Sequence, residues 1–274
     1  CELSSFAGRA GMAELDCLPL PDPPKDIKVP KKSSREVGFS DLADYEDCGF
    51  AYRLSRVFGF ERELVSELGY GRALHHILRL VAEHSRLHGT PPNGKEIASI
   101  IDRSLYIPYA NKSLFTNMKQ RIGALVKRYL SEWPEDLSRI WGTEKQFELH
   151  LRNGILSGRA DVMLDSSNDG DGPLTIIDYK TTSDNDCDAR YSKQITIYAS
   201  AGEQEGLHIG PCYIHELKNS KRETIETNPQ QRSEVTDWAE QKMDELASGA
   251  FPINTIRSKC EACDFRVICK HSRS

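Results

Sequence analysis

The sequence predicts an α/β protein. Three observations carry that prediction: helical stripes fill most of the first half, two strand-like runs meet at Asn153-Gly154, and helix and strand patterns alternate from there onward. Apolar residues every three or four positions turn one face of a helix toward a core, and alternation with period two does the same for a strand.

Residues 1–35 contain "LPLPDPPKDIKVPKK", whose prolines forbid a regular helix and favour an extended tail or linker. The folded part is expected over 36–274. From Phe39 the stretch "FSDLADYEDCGFAYRL" reads as helix, with Ser40 as N-cap. A second helix is expected from about Glu67 to His88, with Leu74, Ile77, Leu78 and Val81 as its apolar stripe and Gly89 as its stop. A third spans roughly Ser113 to Glu132, with Phe115, Met118, Ile122, Leu125 and Tyr129 on one face. The period then switches. "KQFELHL" and "ILSGRADVML" flank Asn153-Gly154, a strong signal for a tight hairpin. A polar loop, "DSSNDGDGP", leads into "LTIIDYKTT" at 174–182 as a third strand. A helix from about Ala189 to Ala201 and a strand from Cys212 to Leu217 follow. A long helix from about Gln231 to Ser248, with Val235, Trp238, Ala239 and Leu246 inward, then leads to "FPINTIRSKCEACDFRVIC".

Composition narrows the function classes. A chain of 274 residues with 38% hydrophobic content can bury one substantial core or two modest ones, and nothing in it approaches an eighteen-residue apolar run, so a soluble protein is expected. The net charge of -5 gives no overall attraction for a polyanion. Binding to nucleic acid must therefore rest on local cationic patches or on bound metal. Residue 1 is Cys1, without an initiator methionine or a signal-peptide pattern, which suggests a segment of a longer polypeptide. Eight cysteines in such a chain point to a reducing compartment and to metal-binding or free thiols. Cys1, Cys17, Cys48, Cys187 and Cys212 are scattered, whereas Cys260, Cys263 and Cys269 form C-x2-C-x5-C.

Asp178 and Lys180 end the third strand on the same face, about 7 Å apart along the chain, where they can converge on one ligand while Tyr179 faces away. Acid-x-Lys also occurs at Asp26-Lys28, Glu216-Lys218 and Glu240-Lys242, so the triplet alone says little. A surface ion pair is the plain alternative. Context favours this instance, because Asp161 in "GRADVML" can lie beside Asp178 at the sheet edge if the strands pair as a hairpin. Two close carboxylates repel unless a cation sits between them, and their oxygens suit magnesium or manganese. A neighbouring lysine can then hold a water or stabilise developing negative charge. Solvated aspartates at strand ends remain the competing reading.

Two other matches fail on chemistry. "GTPPNGKE" has P-loop spacing, but Glu96 stands where Ser or Thr is needed and a helix precedes it. "DSSNDGDGPLTI" begins like a calcium loop but places Ile176 at the bidentate glutamate position.

The order G-x-A-D, then D-Y-K, then Gln194-x3-Tyr198 resembles the RecB-like branch of the PD-(D/E)xK nucleases. The upstream G-x-x-x-H of those nucleases is matched by Gly71 and His75, with His76 as a neighbouring decoy. The resemblance implies a central mixed sheet flanked by helices, a restriction-endonuclease-like core. It implies that His75, Asp161, Asp178 and the Tyr179 backbone carbonyl hold one or two Mg2+ or Mn2+ ions. Lys180 would position the attacking water, and Gln194 and Tyr198 would orient the strand; ordinary helix-surface residues are the alternative for the last two.

Cys48 with Cys260, Cys263 and Cys269 resembles the [4Fe-4S] ligand set of AddB-type subunits and CRISPR-associated RecB-like exonucleases, tying an N-terminal helical part to the C-terminus. Zinc held by the three C-terminal thiolates with His271 or Cys48 is the alternative. The function so implied is a divalent-metal-dependent DNA exonuclease of repair or recombination. It would act on single-stranded DNA or single-stranded ends beside a helicase in the same chain or a partner subunit. The expected location is cytoplasmic, at the nucleoid in a prokaryote, with no membrane partner. A non-hydrolytic DNA-binding or scaffolding module is the second reading.

Overall fold

The computed structural model describes residues 35–61, 68–167, 172–181 and 188–269. The Pro-rich stretch, Cys1, Cys17, Cys187 and His271 lie outside the described residues. Strand β1 (Arg35–Gly38) leads directly into helix α1 (Phe39–Asp47), followed by α2 (Gly49–Tyr52) and a π-helical turn, Arg53–Val57. Helices α3 (Tyr70–His88), α4 (Gly94–Ser104) and α5 (Lys112–Glu132) come next, then a 3-10 turn, Pro134–Ser138. Strands β2 (Ile140–Leu151), β3 (Gly154–Asp165) and β4 (Leu174–Lys180) precede α6 (Asp188–Gln204). The order ends with β5 (Ile209–Glu216), β6 (Lys221–Ile225), α7 (Pro229–Ala247) and the short α8 (Arg257–Glu261). The α/β class and the mixed sheet flanked by helices are as expected.

The sheet runs β1-β3-β4-β5-β6, with β2 also paired to β3. β1 pairs β3 in parallel and β4 pairs β5 in parallel, whereas β2-β3, β3-β4 and β5-β6 are antiparallel. One break in this pattern makes the site. β1 leaves β3 at Ser157 and β4 joins at Val162, so Gly158 to Asp161 lie between two partner strands on the same side of β3.

Both faces of the sheet are covered. Phe39 and Leu42 of α1, Ile195 and Ala199 of α6 and Met243 of α7 bury one face against Phe147, Leu156, Met163 and Ile176. Leu74, Ile77 and Val81 of α3 and Ile122 and Val126 of α5 cover the other, against Val162, Leu164 and Ile177. The predicted stripe of α3 is buried throughout, and Met118, Ile122 and Tyr129 of α5 are buried as expected, while Phe115 and Leu125 are half-buried against the same core. Ala239 of α7 is fully buried, with Val235, Trp238 and Leu246 packed partly buried around it.

Several local expectations are corrected. Ser40 is not the N-cap of α1: that place is taken by Gly38, whose N–H donates to the Asp41 carboxylate at 3.3 Å. The helix also does not run through to Leu54. Cys48 is extended at φ -165, ψ 107, and Gly49 comes so close to Pro252 that an added Cβ would stand 2.7 Å from its ring. α3 starts at Tyr70 behind Gly69, whose φ of +95 is left-handed; Glu67, its expected start, lies outside the described residues. "PPNGKE" opens α4, where the Asn93 side chain accepts from the Lys95 and Glu96 N–H groups and Glu96 accepts from the Asn93 N–H at 2.7 Å.

The β2-β3 hairpin is present, but its tight turn is Arg152-Asn153. Gly154 has a different purpose: a Cβ there would meet the Arg35 carbonyl oxygen of β1 at 2.3 Å. β1 and β6 escape the sequence reading because they are short, and α4 escapes it although Asn93 and Glu96 mark its start.

Beneath the sheet lies a buried polar network that no spacing announces. The Tyr179 hydroxyl donates to the Tyr129 hydroxyl at 2.9 Å, and that hydroxyl donates to Asp136 at 2.7 Å. Asp136 is fully buried and pairs with Arg222, which stacks 3.7 Å from the Trp133 ring centre. His215 packs edge-on against Tyr129, Trp133 and Tyr179. Burial, and then the Arg222 charge, hold its imidazole down to about 4.

A histidine kept neutral in the fold binds its proton only in the unfolded chain between pH 6.5 and 4, so stability falls as pH falls through that window. The loss attributable to His215 is about 3 kcal/mol on the linkage relation. Urea unfolding from pH 7 to 4 should be correspondingly flatter for His215→Phe; parallel curves for the two proteins would refute this.

Candidate active site

β4 carries chemistry on one face and structure on the other. Tyr179 points into the buried tyrosine network, so Asp178 and Lys180, its neighbours on either side, face the opposite way, as the period-two reading requires. Asp178 is 3% exposed, and its Oδ2 ion-pairs with the Lys180 ammonium without making a hydrogen bond of normal geometry. Lys180 also donates to Gln194 Oε1 at 3.1 Å, and its ammonium lies 4.0 Å from the centre of the Tyr191 ring. Gln194 in turn donates to the Tyr198 hydroxyl at 2.7 Å. Gln194 and Tyr198, one turn apart on α6, are therefore coupled to the lysine.

Asp161 comes from β3. The register Val162↔Ile177 sets it opposite Asp178, and its Oδ2 accepts the Tyr179 N–H at 2.7 Å. This side chain closes the ladder where strand pairing stops, which holds the carboxylate in place. The expectation of a sheet edge is corrected: β3 and β4 are interior strands, and the access comes from the gap between β1 and β4. His75 of α3 completes the group, its Nδ1 3.0 Å from Asp161 Oδ1. His76 turns elsewhere and meets Arg79 at 3.0 Å.

Of the two glycines in the G-x-A-D and G-x-x-x-H patterns, Gly158 has a steric reason and Gly71 stands at ordinary contact distance. A Cβ on Gly158 would stand 2.3 Å from the Tyr198 ring, and one on Gly71 would touch the Thr181 side chain at 3.4 Å.

The electrostatics suit a cation. Burial pushes the Asp178 carboxyl up to about 6, against the lowering pull of Lys180, and the Asp161 charge adds to the rise. Burial pulls the His75 imidazole down, but its hydrogen bond and charge contact with Asp161 outweigh this, so the group ends above its ordinary value. A buried carboxylate oxygen without a normal hydrogen bond, faced by a second carboxylate and an imidazole, fits a hard divalent ion. Among the described residues no three His, Cys, Asp or Glu side chains stand as a finished metal-binding group. Here the Lys180 ammonium neutralises Asp178.

Two cavities, of about 770 and 570 Å3, adjoin along His75, Arg159 and Asp161. The second is lined by Ser157, Gly158, Asp178, Lys180, Gln194 and Tyr198. The group thus sits in the middle of a long cleft. Tyr191, beneath Lys180, was missed in the sequence, although it stands three residues before Gln194 on the same helix face.

The cysteine set lies elsewhere. Cys48, Cys260, Cys263 and Cys269 line one cavity of about 40 Å3, roughly the room for three waters, and none of them is in a disulfide. Burial raises the Cys263 thiol, and charge on Cys48 and Cys269 raises it further, which marks these three as electrostatic neighbours. His271 lies outside the described residues.

An α/β sheet that delivers two facing carboxylates and a lysine into a cleft at its centre has the architecture of a restriction-endonuclease-like core. The chain belongs to the PD-(D/E)XK nuclease superfamily, whose sequence profile matches residues 36–270. Among solved structures it is similar to SSO0001, at 16% identity over 88% of this chain and 89% of that one, with a TM-score of 0.38. It is also similar to a candidate exonuclease from Eubacterium rectale, at 13% identity over 86% of each chain, with a TM-score of 0.49. No curated protein matches the sequence. No helix among the described residues is long and apolar enough to cross a membrane.

Proposed function

We propose that this chain is a divalent-metal-dependent DNA exonuclease of the RecB-like type whose reaction centre is His75, Asp161, Asp178 and Lys180. The observation that carries the reading is the facing pair of buried Asp178 and half-buried Asp161, with the Lys180 ammonium between carboxylate and α6. His75, Asp161, Asp178 and the Tyr179 carbonyl would hold Mg2+ or Mn2+. Such an ion lowers the pKa of its water and shields charge that builds on a phosphate.

The protein groups do the rest. Lys180, held by Gln194 and stacked on Tyr191, orients the attacking water and faces the charge that develops on the phosphoryl oxygens. Tyr198 fixes Gln194, and so fixes the lysine. The burial that raises Asp178 excludes bulk water from the cleft floor. The products are a phosphate monoester and a free hydroxyl.

We further propose that Cys48, Cys260, Cys263 and Cys269 hold a [4Fe-4S] cluster, which takes four thiolates. Their common cavity, and the charge of Cys48 and Cys269 felt at Cys263, support an inorganic group, with zinc as the colourless alternative. A helicase, in the same chain or a partner subunit, and a cytoplasmic role in repair or recombination follow from the RecB-like resemblance.

A fluorescent single strand incubated with Mg2+ or Mn2+ tests the enzyme reading. Lys180→Ala should lower the cleavage rate by about 100-fold to 1000-fold, the range for removing one donor aimed at transition-state charge, with strand affinity unchanged. Equal rates for parent and variant would remove Lys180 from the centre. Tight binding with no divalent-dependent turnover by the parent would instead favour a non-hydrolytic module.

A further inference from the structure

One arm of the cleft is aromatic, with two arginines of which Arg159 pairs with Glu144 at 3.6 Å, where the other arm is polar. The larger cavity is lined by Tyr106, Pro108 and Tyr109 from the loop between α4 and α5, with Arg72 of α3 and Arg159 of β3. Tyr106 is 75% exposed and Tyr109 51% exposed. Large aromatic surfaces in water need an explanation, and here two of them flank one cavity that reaches His75 and Asp161.

The loop that carries them is built to be held. Between the tyrosines, Ile107 is buried at 4% in the core shared by α3, α4 and α5. Pro108 approaches Gly69 at the start of α3, where a Cβ would meet its ring at 3.4 Å. Asn111 accepts the Leu114 N–H at 2.9 Å and so fixes the loop's far end as the N-cap of α5. The rings are therefore presented by an anchored backbone, which lowers the entropy lost when a ligand covers them.

Flat apolar faces beside guanidinium groups match unstacked nucleobases on a phosphate backbone. A paired duplex keeps its base faces inside its own stack and does not offer them. We propose that Tyr106 and Tyr109 form a base-stacking platform for a single nucleic-acid strand, holding it on one side of the scissile phosphate while Arg72 and Arg159 meet its backbone. This inference rests on the nuclease reading for its choice of occupant, and it assigns a strand-selecting site that lies outside the metal and lysine group.

Equilibrium binding separates the two. In an Asp178→Asn background, which blocks turnover, a fluorescein-labelled single-stranded 12-mer is titrated with the full chain, alongside an abasic strand of the same length and a blunt duplex. Replacing both tyrosines by alanine should weaken the normal strand about tenfold or more. Replacing both by phenylalanine should leave it within about twofold, since stacking needs the ring and not the hydroxyl. The abasic strand should bind the unsubstituted platform weakly and be insensitive to the alanine changes, and the duplex should be insensitive as well.

The proposal is overturned if the alanine protein binds the normal strand as its parent does. It is equally overturned if the alanine changes weaken abasic and normal strands alike. Failure of the nuclease reading would show in a different place, as absence of divalent-dependent cleavage by the unsubstituted protein, whatever the tyrosines do to affinity.

Discussion

Asp178→Asn is expected to lower divalent-dependent cleavage at least about 1000-fold while leaving the fold and single-strand affinity intact. The size follows from two losses at once. A neutral amide is a poor ligand for a hard cation, and it no longer pairs with Lys180, so the ammonium loses its anchor on β4 and keeps only Gln194 and the Tyr191 ring. The substitution is nearly isosteric, and the site already resists ionising this carboxyl, because burial holds it near 6. Removing the charge therefore relieves an unfavourable burial even as it breaks an ion pair, and the two offset each other in stability. Circular dichroism and strand affinity should be those of the parent, with the loss confined to rate. Cleavage within about tenfold of the parent would exclude Asp178 as a ligand.

Cys260→Ser should cost stability where Asp178→Asn costs rate. If four thiolates share one cluster, it closes a loop of about two hundred residues, and the chain-entropy estimate used for disulfides gives about 5 kcal/mol at its upper end. For a chain of this size that corresponds to a fall in Tm of about 10–20 °C. The parent preparation should be brown, with visible thiolate-to-iron absorption that the variant lacks. A colourless parent containing zinc would replace iron by the alternative metal, and an unchanged Tm with no bound metal in either protein would leave the thiols without a ligand. Protein contacts already join the two ends at this place: Tyr45 donates to the Ala250 carbonyl at 2.7 Å, Asn254 donates to the Asp47 carbonyl at 2.8 Å, and Lys259 pairs with Asp47. Loss of the cluster should therefore loosen the clasp before it unfolds the sheet.

The site was more legible in the sequence than the frame that builds it. Asp178 and Lys180 could be paired because period two is a rigid property of a strand, whereas His75 could be preferred to His76 only through the G-x-x-x-H pattern, and the structure turns the two in different directions. The motif glycines read as pattern elements, and for Gly158 the structure supplies the cause in the Tyr198 ring. What stayed hidden was long-range. Nothing local in "REVG" announces a strand that pairs β3 some 120 residues later, so the gap that opens the cleft could not be foreseen. Asp136 looks like any acidic residue after a proline, yet it is fully buried because Arg222, Tyr129 and Arg139 arrive from elsewhere to satisfy it. Glu144 is similar: it has a left-handed φ of 47 opposite the Asp161 segment, and its carboxylate meets Arg79 and Arg159.

The clasp between α1 and the segment after α7 also sets a timetable. Tyr45 finds its acceptor 205 residues downstream, which at ordinary translation rates is a wait of roughly ten to forty seconds. During that interval the apolar flank of nascent α1 gains its cover in stages, from β2, β3 and α6 first and from α7 and the segment after it last.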